Sequence, residues 1–220
     1  MKWVAPPSQR AKGLTIMEMV GVLAVVAIVT ALLIPKVFET INTARVHATV
    51  STINRIRDAV ASHYARFGGF SDSTGNLLLP STVAANADAS NFDSHVLLQE
   101  GMLSKRFSVK VGDQVVDTNR VVVRQVEPAD SAADITETSA NYDLDAAGVV
   151  ETNDGALVCE CVITGVSAAD AQALKVQIDG ASLAAAVSLK SGEAAFAGRV
   201  KYPAIGAGET GEVRIYLMHK

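Results

Sequence analysis

The first absence in this chain is charge. No ionisable side chain occurs in the seventeen residues 19–35, and an apolar run of that kind belongs in a hydrocarbon environment. The second absence is of helix breakers: residues 36–67 contain neither Gly nor Pro, so nothing there forces a helix to stop. Cysteine is nearly missing, with Cys159 and Cys161 alone, which excludes a disulfide framework. Side chains two apart on a strand share a face, and a direct Cys159–Cys161 bridge would bend that strand badly. Two buried thiols are the expectation. A metal would need more ligands than Cys159-Glu160-Cys161 offers. His47, His63, His95 and His219 are scattered, and His47 and His63 read as helix-surface residues. No nucleophile elbow, phosphate loop, zinc-helix motif or internal repeat occurs. The sequence supports no enzyme, no catalytic residue and no cofactor.

What charge there is lies unevenly. Residues 1–67 hold eight basic and three acidic residues, a net of +5, whereas residues 68–220 hold eleven basic and twenty acidic residues, a net of −9. A strongly acidic outer region repels phosphate backbones, so nucleic acid is not an expected partner. Solubility is the simpler meaning of the acidity.

Glu18 is the one charge inside the apolar run 14–35. A carboxylate in hydrocarbon is costly and points to function, with a partner to be named. Lys2, Arg10 and Lys12 precede the run without any acid, which keeps that end cytoplasmic by the positive-inside rule. Residues 14–35 number 22, enough to cross a hydrocarbon core of ~30 Å as a helix. Gly13, lacking a side chain, lets a protease approach the backbone closely.

This layout resembles the amino terminus of the type IV pilins and type II secretion pseudopilins. Residues 11–38 carry the likeness: a short basic leader, Gly13, a Glu five residues later at Glu18, an unbroken span, and Pro35 at position 22 counted from Leu14. Leu14 stands where the family usually has Phe. The resemblance implies cleavage between Gly13 and Leu14 by a prepilin peptidase, N-methylation of the new Leu14 amine, and pairing of Glu18 with that amine on a neighbouring subunit. Such a contact is heterologous and propagates as a helix instead of closing. The resemblance further implies an inner-membrane assembly platform with its ATPase, other pilin or pseudopilin subunits as partners, and a single-pass protein of the bacterial inner membrane. The C-terminal domain would be periplasmic, and the protein would enter a periplasmic or cell-surface filament after assembly. Two plainer readings compete: a secretory signal peptide, with Val29-Thr30-Ala31 as its cleavage site, and a simple one-span anchor carrying a periplasmic domain.

The expected organisation is a leader over 1–13, a transmembrane helix half over 14–35, an amphipathic half over 36–67 and an outer domain over 68–220. Val46, Val50, Ile53, Ile56, Val60, Tyr64 and Phe67 recur at spacings of three and four, the stripe of an amphipathic helix. Pro35 can kink this helix without ending it, and Gly68-Gly69 stops it. Residues 70–89 read as loop with room for a short element, and Ser90 or Asn91 as the cap of a short helix ending at Gly101. Period-two, β-rich runs predict strands at 107–111, 120–126, 156–163, 198–202 and 212–217. Ser167 is read as the cap of a helix to about Ile178, stopped by Asp179-Gly180. A long N-terminal helix packed on an antiparallel sheet gives an α+β class.

Asn141, Asp143 and Asp145 alternate like the start of a calcium loop. Ala146 stands where that loop needs Gly, and Thr152 where it needs Glu, so a solvated turn beside a strand is the expectation. A rare tip-located subunit with a ligand-binding outer domain is the remaining alternative to a structural subunit.

Overall fold

A computed structural model describes residues 15–115, 118–128, 135–136, 138–181, 183 and 193–220. The chain divides into two compact units, residues 1–42 and 43–220. The architecture is α+β, a long helix whose later part packs against a four-stranded antiparallel sheet.

Helix α1 runs Ile16–Phe67 and continues through Pro35. Proline has no N–H, so the carbonyl four residues earlier, at Ala31, lacks its usual donor. Every residue from Thr15 to Arg45 is exposed. The 18-residue apolar window within this stretch has none of its residues buried, although its length and composition suit a membrane span. It is therefore not a core helix of a soluble domain. Gly68, at φ 71°, ends α1, and its N–H closes on Tyr64 O at 2.8 Å. A side chain would resist that backbone conformation.

In the second unit the stripe behaves as its spacing predicts. Val46, Ile53, Ile56 and Val60 are buried in one cluster with Val121 and Val123, Cys159 and Cys161, and Val213 and Ile215 of the sheet. Covering four such side chains contributes on the order of 6–12 kcal/mol as an upper figure, so packing, more than helix propensity, holds this part of α1.

The strands are β1 (Arg120–Gln125), β2 (Leu157–Ser167), β3 (Val200–Lys201) and β4 (Thr210–His219), in the spatial order β1-β2-β4-β3. Val121 faces Cys161, Val123 faces Cys159, and Cys161 faces Ile215 across the ladders. β2 is central and buried on both faces over residues 157–163. Leu157, Cys159, Cys161 and Ile163 turn towards α1, and Val158 turns to a smaller cluster with Val126, Ala140 and Tyr142. A register shift interrupts β2 between Ile163 and Val166. Gly165 lies in it at φ 68°, where a Cβ would meet the Asp113 carboxylate at 2.3 Å, so only glycine fits.

Two short helices, α2 (Pro80–Val83) and α3 (Ala87–Ser90), and a single π-helical turn, Asp93–Leu97, precede the sheet. Asn86 caps α3, its Oδ1 accepting from Asp88 N at 2.8 Å, whereas the turn expected after Ser90 or Asn91 follows Phe92 with no side-chain cap. Residues 107–111 do not form the expected strand. Phe107, Val109 and Val111 are buried alternately, but Phe107 N donates to Asp93 Oδ2 at 3.0 Å and Lys110 N to Thr49 Oγ1 at 3.3 Å. Period two here comes from burial, with side chains supplying the acceptors a neighbouring strand would offer. Asp93 Oδ1 also accepts from Val121 N at 3.0 Å, so one buried carboxylate ties this segment to β1. The strand expected over 198–202 shortens to two residues.

Helix α4 (Ala168–Asp179) starts as expected, with Ser167 Oγ accepting from Asp170 N at 3.3 Å. At its end the side chains of Lys175 and Asp179, both fully buried, pair at 2.9 Å. Asp179 also receives the N–H groups of Arg199 and Val200, which fastens α4 to β3.

Candidate functional site

Gly13 and Leu14 lie outside the described residues. Glu18 is exposed, in the first turn of α1. Its Oε2 accepts from Thr15 N at 2.8 Å and Thr15 Oγ1 at 3.0 Å, and its own N–H donates to Thr15 Oγ1 at 3.3 Å. This is a capping box, which satisfies helix-start N–H groups reciprocally. Thr15-Ile16-Met17-Glu18 has the Thr-x-x-Glu spacing that could have revealed it. A single chain thus gives Glu18 hydrogen bonds but no counter-ion among the described residues.

His63 is fully buried, which corrects its reading as a surface residue. Its Nδ1 lies 2.8 Å from Glu100 Oε2, and Ser71 N donates to its Nε2 at 3.1 Å. A backbone N–H can only donate, so Nε2 carries no proton and Nδ1 donates to Glu100. Ser71 Oγ lies 3.3 Å from Nε2, which completes a Ser-His-Glu arrangement like that of a hydrolase. The chemistry does not follow from it, because Nε2 is already filled by an amide and Ser71 is sealed from solvent. Phe92 packs edge-on to the ring at 5.0 Å. The group clamps the end of α1 to the segment after Gly69.

On the face of the sheet away from α1, Glu160 is fully buried and accepts from Arg214 Nη1 at 2.6 Å and Tyr142 Oη at 2.7 Å. Arg124 Nη1 lies 3.4 Å away. Burial, then the Glu160 charge, push the Tyr142 phenol well above its usual range, so it stays a donor. Lys201 donates to the carbonyls of Ser139 at 2.6 Å and Asn141 at 3.0 Å and lies 4.1 Å from the Tyr142 ring centre. Burial lowers Lys201 to about 8. A groove of about 760 Å³ beside β1 is lined by Arg120, Arg124 and Arg214 with Val122 and Val162.

Asn141 and Asp143 are buried, not parts of a solvated turn. Asp143 and Asp145 gather with Glu151. The acid therefore comes one position before Thr152, whose Oγ1 instead accepts from Tyr142 N at 3.2 Å. Ala146 takes φ 61°, the left-handed turn for which glycine is the usual residue. Burial and the carboxylates of Asp145 and Asp143 push Glu151 up, against the Leu144 N–H that holds its Oε2. The Ala147 N–H holds Asp145 below the ordinary carboxylate range.

Comparison with known proteins brings no match: no family model, no curated protein and no solved structure matches this chain.

Proposed function

We propose that this chain is a structural subunit of a filament of the type IV pilus or type II secretion pseudopilus kind, held in the membrane by the first part of α1 and without enzymatic activity. The observation that carries this reading is a helix with two characters. Up to Arg45 it is exposed and, before Lys36, apolar with the single carboxylate Glu18; from Val46 its stripe is covered by the sheet. Apolar surface that a chain leaves bare is covered by lipid or by other subunits. A carboxylate with hydrogen bonds but no counter-ion retains an attraction for a cation at the same depth on another chain. Processing by a prepilin peptidase between Gly13 and Leu14 would supply that cation as the Leu14 amine. An assembly platform with its ATPase would then extract the subunit from the inner membrane into a periplasmic or surface filament.

The capping box supports a second reading, a one-span anchor for the outer domain, because it explains a Glu at position 18 by local helix chemistry alone. Intact mass and filament incorporation separate the two. The filament reading expects a mature chain beginning at Leu14, and a Glu18→Ala variant that is cleaved normally but largely absent from filaments. A chain that retains residues 1–13 overturns it in favour of the anchor, and Glu18→Ala entering filaments as the unsubstituted chain does refutes the assembly role of Glu18.

A further inference from the structure

Strand β1 stands at the edge of the sheet, and the ladder fixes which of its peptide groups look outward. Val126 N donates to Ala156 O at 2.8 Å, one residue beyond β1 and β2. In an antiparallel ladder the N–H and C=O of one residue point to the same side, and the side alternates along the strand. Arg120, Val122 and Arg124 therefore pair with β2, while Val121, Val123 and Gln125 turn their peptide groups to the open edge. Asp93 Oδ1 takes the Val121 N–H at 3.0 Å, as this alternation requires. Val123 and Gln125 have no backbone hydrogen-bond partner on that side among the described residues. Unpaired strand groups of this kind are a template for another strand.

Side chains alternate as well. Val121 and Val123 are buried in the cluster that includes the α1 stripe, so Arg120, Val122 and Arg124 lie on the other face, in the order charged, apolar, charged. The groove of about 760 Å³ opens over them and is lined also by Val83 of α2 and Ser90 of α3. Arg214 stands in the same cross-strand row as Arg120, with Val162 between them. Arg124 and Arg214 share Glu160 and have further acids in Glu127 at 3.9 Å and Glu212 at 2.6 Å. Arg120 forms no ion pair among the described residues. Charged side chains also guard edges against pairing with like edges, but guarding needs no groove, and this one has the volume of a ligand site.

We propose that the groove receives an extended segment of another protein chain, added to β1 as a strand and carrying acid, apolar residue and acid at alternate positions. The apolar residue lies opposite Val122, and the acids meet Arg120 and Arg124 across the strands. Val123 and Gln125 supply main-chain hydrogen bonds, which give affinity, while the side chains facing the added strand select its sequence. Arg120 determines that selection most, because its charge is the one not already met. Residues 68–220 carry a net charge of −9, yet the groove is lined by three arginines and, among acids, by Glu127 alone. Such a local reversal of sign attracts an acidic segment and rejects a basic one. The inference goes beyond the filament reading and does not depend on it.

The test uses the full chain in detergent and a labelled peptide, acetyl-Thr-Glu-Thr-Val-Thr-Glu-Thr-amide, followed by fluorescence anisotropy. Saturable binding below ~1 mM is expected. Arg120→Gln should weaken it about fivefold, the upper end for an opposed charge pair across strands, and leave the melting point unchanged because no ion pair is lost. Replacing both Glu residues of the peptide by Lys, or N-methylating the two Thr residues beside its Val, should weaken binding about tenfold or more. The proposal is overturned by a parent chain that shows no saturable binding, or by an Arg120→Gln variant that binds as its parent does. A lysine or methylated peptide that binds as well as the first also overturns it. Oligothymidylate that binds more tightly than the peptide, with the same dependence on Arg120, would overturn it in favour of nucleic acid.

Discussion

Tyr142 Oη donates to Glu160 Oε2 at 2.7 Å, and neither residue is open to solvent. The carboxylate lies on the central strand between two buried thiols, facing the opposite way. A segment from before β2 folds over the sheet's second face and brings the phenol to it, while β1 and β4 bring Arg124 and Arg214. A charge at the centre of the sheet is thereby paired from three directions.

Removing that charge should be worse than removing its neutral donor. Glu160→Gln takes the anion from Arg214 Nη1 and leaves Arg214 only Glu212, at 2.6 Å from its Nη2, so the cost lies near the lower end of the about 3–5 kcal/mol of a broken buried pair. Tyr142→Phe loses one hydrogen bond to a charged group, about 1.5–3 kcal/mol. Urea unfolding of the two variants measures the order, and a Tyr142→Phe loss equal to or above that of Glu160→Gln would show that the ion pair is not what holds this face.

Lys201 gives stability a pH dependence with a definite sign. Its folded value of about 8 lies below the unfolded value of about 10.4. Below pH ~8 both states are charged and folding bears the full cost of burying the ammonium. Between ~8 and ~10.4 the unfolded chain holds the proton more tightly, so this cost fades as pH rises and is gone above that window. The unfolding free energy of the unsubstituted chain minus that of Lys201→Met should therefore rise across the window, by up to about 3 kcal/mol. Denaturant titrations at several pH values measure it, and a difference that stays flat or falls would refute the assignment.

Cys159 and Cys161 should be inert in the folded protein. Burial is the first cause raising both thiols well above their ordinary range; Cys159 is raised next by Glu160, and Cys161 next by Cys159. The thiolate is the reactive form, and both side chains are closed to solvent. A disulfide reagent at pH 8 should label neither until denaturant is added, then both. Rapid labelling of the native chain would contradict the buried placement.

Much of the fold was legible because it rests on periodicity. The stripe from Val46 to Val60, the Gly68 stop, the Ser167 cap and three of the five strand runs depend on side-chain spacing and local backbone chemistry, which a linear reading contains. The segment 107–111 misled for a physical reason: alternation reports a buried face and a wet face, not the presence of a hydrogen-bonded neighbour, and here Asp93 and Thr49 accept the N–H groups. His63 misled because of its residue type: three residues after Val60 and seven after Ile56 it lies on the buried face of α1, and Glu100, 37 residues on, satisfies its ring. Asn141 and Asp143 looked wet because their residue types usually are.

By itself, then, the order of residues determined where the chain is apolar, where α1 ends and α4 begins, and that one acid stands alone in the span, since these depend on neighbours within a turn or two. Only the tertiary structure decided that Glu160 is paired, that His63 is clamped, and that Glu151 and not Thr152 joins Asp143 and Asp145. Each of those outcomes requires groups many residues or a whole turn apart to meet in space, and burial sets the energy of the meeting.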